Sequence, residues 1–223
     1  MGWIRRSYDW DWRGAEASFV RALELAPGNA TVLRRAGVLA RTLGRFEEAI
    51  GLYRRALEQD PLSAAAYHNL GVVLHTADRL TEAEAAYRKA LELAPQTAAT
   101  HALLSFTLLA LGRGKEALEE ATREPDEWLR LYAQAIVHHA MGHEMESEAA
   151  LRELIEKHRE GAAYQISEVY SARGETNESF EWLERAYAQR DGGLAELKTS
   201  PRLRSLHGAP RWDAFLKKMG LED

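Results

Sequence analysis

Four alanines recur at intervals of 34 residues: Ala15, Ala49, Ala83 and Ala117. Three of them open a fuller pattern. Ala15 is followed by Phe19, Ala22 and Pro27, Ala49 by Tyr53, Ala56 and Pro61, and Ala83 by Tyr87, Ala90 and Pro95. A small residue, an aromatic four on, a small residue three further and a proline five beyond that recur three times in register. A period of this length, with these residue types, marks a stack of helical hairpins. One hairpin cannot bury its apolar face alone, so neighbouring units must cover it.

The second unit shows how a hairpin is written. Val32, Leu33, Ala36, Leu39 and Leu43 predict a helix from about Ala30 to Leu43, stopped by Gly44. A partner from about Phe46 to Glu58 presents Ala49, Ile50, Tyr53, Ala56 and Leu57 on one face and ends at Asp60-Pro61. The third unit repeats this with Tyr67, Leu70, Gly71 and Leu74, a turn at Ala77-Asp78, then Ala83, Tyr87 and Ala90. Gly37 and Gly71 lie mid-helix, where glycine costs about 1 kcal/mol relative to alanine. Close approach of two backbones is the expected reason, with Ala49 and Ala83 opposite and Tyr53 and Tyr87 filling the gap to the next unit.

The set Leu33, Gly37, Ala49, Tyr53, Ala56 and Pro61, repeated as Tyr67, Leu70, Gly71, Ala83, Tyr87, Ala90 and Pro95, resembles the tetratricopeptide repeat family. The resemblance implies an all-α fold, a right-handed superhelical solenoid of stacked antiparallel hairpins. The first helix of each pair would line a concave groove, and the second helices would form the convex back.

After Pro95 the register loosens. The fourth unit keeps Leu104, Leu108, Gly112 and Ala117, has Ser105 in the glycine position, and ends at Glu124-Pro125. A fifth begins near Asp126, an N-cap residue, and runs through Trp128, Leu131, Ala135 and His138 to Gly142, with its partner from about Met145 to His158. A sixth has Tyr164, Ile166, Val169, Tyr170 and Gly174, then Ser179, Leu183 and Ala186. The expected organisation is an incomplete first repeat over 1–28, mainly its second helix; repeats two to four over 29–125; two degenerate hairpins over 126–190; and a C-terminal helical cap over 191–223. Leu203, Leu206, Trp212, Phe215, Leu216 and Leu221 are expected to cover the last hairpin. The C-terminal segment resembles the end-of-group segment of many bacterial arrays of this family, and the opening Tyr8-Asp9-Trp10-Asp11-Trp12 is typical of them. Two explanations of the half repeat stand open: an upstream domain has been removed, or another chain supplies the contact. Phe19 and Val20, with Trp10 and Trp12 nearby, would form an apolar patch suited to a two-fold homodimer.

Bulk properties exclude several classes. A net charge of -5 gives no case for a general binder of nucleic acid or acidic membranes. With no cysteines there are no disulfides, thiolate zinc sites or cysteine nucleophiles. The longest near-apolar run, Leu103 to Leu111, is too short to span a bilayer, and the N-terminus lacks the form of a signal peptide. The expected compartment is the cytoplasm, or the periplasm if the array belongs to a membrane-anchored regulator.

Motifs for chemistry are weak. His139 and His143 have the i, i+4 spacing of two metal ligands on one helix face, but Gly142 intervenes, and Ser147 stands where a second histidine of an H-E-x-x-H motif belongs. His138 packed in its hairpin, with the other two histidines solvated, is the stronger reading. Gly112-Arg113-Gly114-Lys115 lacks the earlier glycine and the following hydroxyl of a phosphate loop, and reads as a turn between helices. Lys198, Arg202, Arg204, Arg211, Lys217 and Lys218 read as a solvated basic cluster. Neither catalysis nor a cofactor is expected.

What remains is the groove. Helical phase assigns to it Arg34, Val38 and Arg41; His68, Asn69, Val72 and His75; Phe106 and Leu109; and Tyr132, Ile136 and His139. A basic, polar end beside an apolar stretch suits an extended peptide or a helix with one acidic or terminal carboxylate and a few apolar anchors. Family members that bind chaperone tails use a clamp of lysines and asparagines. Arg34 stands for a clamp lysine here, but Val38 and Val72 occupy asparagine sites, which argues against that activity. The expected function is non-catalytic protein–protein interaction. The alternative is the regulatory region of a larger bacterial signalling protein: a winged-helix regulator, a nucleotide cyclase or a kinase.

Overall fold

The computed structural model describes residues 10–221, and the expectations placed on Tyr8 and Asp9 lie outside them. Every regular element among the described residues is helical. In order they are α1 (Trp12–Leu25), α2 (Ala30–Thr42), α3 (Phe46–Gln59), α4 (Ala64–Thr76), α5 (Leu80–Leu93), α6 (Thr100–Ala110), α7 (Gly114–Arg123), α8 (Glu127–Ala140), α9 (Glu144–His158), α10 (Ala163–Ala172) and α11 (Thr176–Ala188). Two 3-10 turns, Gly192–Glu196 and Pro201–Leu206, and a last helix, α12 (Pro210–Lys218), follow. After α1 come five antiparallel pairs, α2/α3 to α10/α11, and the helix ends fall within about a residue of the sequence expectation.

The caps follow local chemistry. Asn29 accepts from the Val32 amide at 3.0 Å to start α2, and Asp11 accepts from Gly14 at 2.9 Å to start α1. Turns inside the pairs need a left-handed residue. Gly44, Gly112, Gly142 and Gly174 supply it with φ between +76° and +78°, and Asp78 does so at +58° in the third unit.

Two compact units form. The first holds α1 to α5 with Ala195–Thr199 and residues 214–221; the second holds Gln96–Leu194 and Ser200–Asp213. In the first, the reason for the mid-helix glycines differs from the expected one. A Cβ on Gly37 would lie 2.8 Å from the ring of Tyr53, and one on Gly71 2.7 Å from the ring of Tyr87. Each glycine therefore admits the tyrosine of its own hairpin, and the ring fills space inside the pair. Both tyrosines are fully buried.

The second unit solves the same level differently. Position 37 corresponds to 71, 105, 135 and 167, each twelve residues before the periodic small residue. Where tyrosine gives way to Ala121, Leu151 or Leu183, the facing glycine gives way to Ser105, Ala135 or Ser167. The serines that replace the periodic alanine bond across the hairpin: Ser147 Oγ donates to the Ala135 carbonyl at 2.7 Å, and Ser179 Oγ to the Ser167 carbonyl at 2.8 Å. Glu124, buried in the position of Ala90, accepts from the Ala99 and Ala102 amides at 3.2 and 3.1 Å and so caps α6.

The C-terminal segment divides between the two units. Leu203, Leu206 and Trp212 are buried in the second unit, where the turn Pro201–Leu206 packs on α10, the first helix of the last pair. Phe215 and Leu221 are buried in the first unit, and Leu216 is half-buried. There the Trp12 indole N–H donates to the Met219 carbonyl at 3.0 Å, and Gly220 turns the chain with φ +64°. A buried indole needs an acceptor, and the chain end supplies one. Trp12 is thereby removed from the expected apolar patch, while Val20 and Leu25 stay 52% and 69% exposed.

The glycine–tyrosine fit yields a sign-reversing test. Gly71→Ala should destabilise the protein, because overpacking costs about 1–3 kcal/mol and exceeds the gain in helix propensity. In a Tyr87→Ala background the same change should stabilise. Urea unfolding of the four chains checks this, and an equal effect in both backgrounds would refute the packing account.

Candidate functional site

The residues assigned to the groove lie on the first helices of the pairs. In the first unit α2 carries Arg34, Val38 and Arg41, and α4 carries His68, Asn69, Val72 and His75. Arg41 and His75 are buried and the other five half-buried. In the second unit Phe106, Tyr132 and Ile136 are buried, while Leu109 and His139 are half-buried. The burial has a visible cause. Pieces of the chain's own C-terminal segment lie on this face in each unit.

In the first unit Glu196 forms an ion pair with Arg41, whose side chain is 10% exposed. Burial alone would lower the Arg41 pKa; the carboxylate of Glu196 more than offsets this and raises it. Next to this pair, His68 meets the Tyr87 ring edge-on at 6.1 Å. Desolvation, then the charges of Arg41 and Arg34, push the His68 pKa down to about 4. The imidazole is therefore neutral at pH 7. Arg34 differs from Arg41: among the described residues no carboxylate pairs with it.

In the second unit the centre is Glu168 on α10, which is 1% exposed. Its carboxylate accepts from the Tyr132 hydroxyl and from the Ser200 hydroxyl, and the Arg202 guanidinium pairs with it at 3.2 Å. The same guanidinium stacks 4.9 Å above the Phe106 ring, which meets Tyr132 edge-on at 5.2 Å. Ser205 and Ser171 extend the contact with a hydroxyl pair at 2.6 Å. Burial keeps Tyr132 protonated well above the usual phenol range; the charge of Arg202 opposes this, and the charge of Glu168 adds to it. Asp191 anchors the start of the segment, accepting from the Tyr164 and Gly193 amides at 3.1 and 2.8 Å.

The sequence reading did not find Glu168, Arg202, Glu196 or Ser200 as members of this face. For Glu168 the signal was present, since it continues the phase of Val38, Val72, Phe106 and Ile136 into the sixth unit. Ser171 likewise continues Arg41, His75, Leu109 and His139. Arg202 corrects the expectation of a wholly solvated basic cluster: its charge is drawn in by Glu168.

The histidines do not assemble as a helix-face pair. α8 ends at Ala140, Gly142 reverses the chain, and His138 rather than His139 meets His143, with their Nδ1 atoms 3.3 Å apart. Among the described residues no group of three or more potential ligands is placed to hold a metal ion. Gly112 to Lys115 forms the turn between α6 and the start of α7. A cavity of about 250 Å³ is lined by Trp128, Lys157, His158, Glu160, Gly161 and Ala162. Its lysine is already matched by Glu127 and Glu153. No described helix is long and apolar enough to cross a membrane.

His68 gives a pH test with a definite sign. Its folded pKa, about 4, lies below the reference value of 6.5, so the unfolded state binds more protons between these values. The stability held by neutral His68 is complete above pH 6.5 and is lost as pH falls towards 4. His68→Gln should therefore flatten the decline measured by denaturant unfolding across that window. An unchanged decline would remove His68 from the account.

Comparison with known proteins agrees with this architecture. The tetratricopeptide repeat family model matches residues 11–62 and 34–98. No curated protein matches significantly. Among solved structures, TTC0263, a thermophilic TPR protein of Thermus thermophilus, aligns with a TM-score of 0.61 and 20% identity, covering 84% of this chain and 99% of its own. A tetratricopeptide repeat protein of Parabacteroides merdae aligns with a TM-score of 0.59 and 18% identity over 97% of this chain and 91% of its own. YrrB, described as a TPR protein with an unusual peptide-binding site, aligns with a TM-score of 0.51 and 18% identity over 90% and 97%. With their 34-residue period and this match, residues 11–98 are tetratricopeptide repeats, and the paired helices share the fold of the solved tetratricopeptide repeat proteins.

Proposed function

We propose that this protein is a non-catalytic interaction module that takes an extended peptide or partner segment on its first-helix face. The observation that carries the reading is the Arg41–Glu196 pair: the face already holds a short stretch of chain through a guanidinium and a carboxylate. Arg34 offers the same chemistry on the same helix without a carboxylate partner among the described residues. Around it, Val38 and Val72 supply apolar surface, and His68 and Asn69 supply polar groups at half-buried positions. The ligand class is a segment with one acidic side chain or terminal carboxylate and one or two apolar anchors. The structural relationship to YrrB supports this at the level of fold.

A library of short peptides with free C-termini, selected on the full chain, tests the assignment. Enriched peptides should share a carboxylate, and Arg34→Ala should weaken them at least about tenfold, or about 1.4 kcal/mol. Asn69→Ala should weaken them less. Equal affinity for the Arg34→Ala chain would sink this reading.

A further inference from the structure

The cluster around Glu168 has the composition of a receptor for arginine. A carboxylate with 1% exposure is aimed at a guanidinium, a tyrosine hydroxyl holds the carboxylate in place, and a phenylalanine ring forms the floor under the cation. This is how a planar cation is read: by ion pairing along its edge and by an aromatic ring against its face. Nothing in helix packing requires it. The equivalent positions in the other pairs are Val38, Val72, Phe106 and Ile136, and an apolar residue at 168 would continue that row.

The present occupant is short and locally marked off from the helices. Residues 200–206 read Ser-Pro-Arg-Leu-Arg-Ser-Leu; Ser200 caps a short 3-10 helix, Pro201–Leu206, whose hydrogen bonding is poorer than that of an α-helix. Its contacts have a spacing. Ser200 and Arg202 reach Glu168, Leu203 and Leu206 are fully buried, Ser205 meets Ser171, and Arg204 is exposed. The pattern that this face reads is thus Arg-Leu-x-x-Leu with a hydroxyl two residues before the arginine.

We propose that the first-helix face of the second unit is a recognition site for short helical segments of the form Ser/Thr-x-Arg-Leu-x-x-Leu, and that residues 200–206 occupy it as a built-in competitor. The inference rests on the reading of the protein as a segment-binding module. It uses a different unit, a different residue set and a ligand of opposite charge from the Arg34 assignment, so the two fail separately. A partner bearing the pattern exchanges with the chain's own turn, and the competitor sets the threshold for binding.

The probe is a fluorescent peptide copying residues 198–208, titrated into the full chain. Three chains are compared: the natural one, Arg202→Ala with Leu203→Ala, and the same double variant carrying Glu168→Gln. Weakening the internal competitor should tighten peptide binding at least about tenfold, and Glu168→Gln should reverse that gain. A second peptide with citrulline in place of the arginine keeps the shape without the charge and should bind at least about tenfold more weakly. This comparison needs no variant of the protein. Failure of the natural-sequence peptide to bind the folded double variant at millimolar concentration would overturn the proposal, as would equal binding of the citrulline peptide. If the double variant does not fold, amide exchange decides on the natural chain. Saturating peptide should accelerate exchange in residues 200–206, and unchanged protection would count as refutation.

Discussion

The structure depends on how closely two helices approach at one level of each hairpin. That level is set by the residue twelve positions before the periodic alanine or serine, together with the side chain four positions after it. The pairs are Gly37 with Tyr53, Gly71 with Tyr87, Ser105 with Ala121, Ala135 with Leu151 and Ser167 with Leu183. A ring stands only where there is no Cβ to oppose it, and side-chain volume returns on the first helix when the ring is lost. Interiors packed to crystal-like density impose this, because neither a void nor an overlap can be left at such a contact. In the last two pairs, α8/α9 and α10/α11, the serine hydroxyls at 147 and 179 also bond the opposite backbone. With the hairpin fixed at this level, the residues one and four positions further along the first helix fall on one flank of the contact, about 100° and 40° round the helix from it. The phase of the first-helix face is thus a consequence of the glycine–tyrosine contact.

This explains what was legible in the sequence. The hairpins were legible because spacing carries them, and the turn glycines and proline breaks gave helix ends to within about a residue. The face was legible as a set of positions for the same reason. The role of Gly37 and Gly71 was misjudged, since a missing Cβ signals close approach without saying whether a backbone or a ring approaches. The course of residues 191–221 was not legible. Glu196 and Arg202 sit in short 3-10 turns that have no period, and a charged residue there reads as solvated until its partner is known to be buried. Glu168 alone held usable information: a carboxylate in a phase otherwise filled by valine, phenylalanine and isoleucine calls for a cation from outside the helices.

The charges on the face and on the segment answer one another. In the first unit the buried cation Arg41 receives Glu196; in the second the buried anion Glu168 receives Arg202. Buried pairs add little net stability, because desolvation offsets most of the attraction, yet an unmatched member costs about 3–5 kcal/mol. Their effect is therefore to specify. A stretch laid down with the opposite sign at either place would leave two like charges out of water. Leucines 194, 197, 203 and 206 supply apolar burial without direction, and the ion pairs decide which leucine goes where.

The same logic bears on what the remaining surface can recognise. Desolvation and the two neighbouring arginines keep His68 neutral, so it adds no charge beside Arg34, while Arg41 is already neutralised by Glu196. The strip around Arg34 then holds one guanidinium within a half-buried, partly apolar surround. One carboxylate satisfies it. A second carboxylate nearby in the ligand would be desolvated with no cation to meet it, a penalty that discriminates more sharply than any added contact. On the proposed reading, selectivity for singly acidic segments over polyacidic ones comes from the charge that Glu196 has already taken and the charge that His68 does not carry.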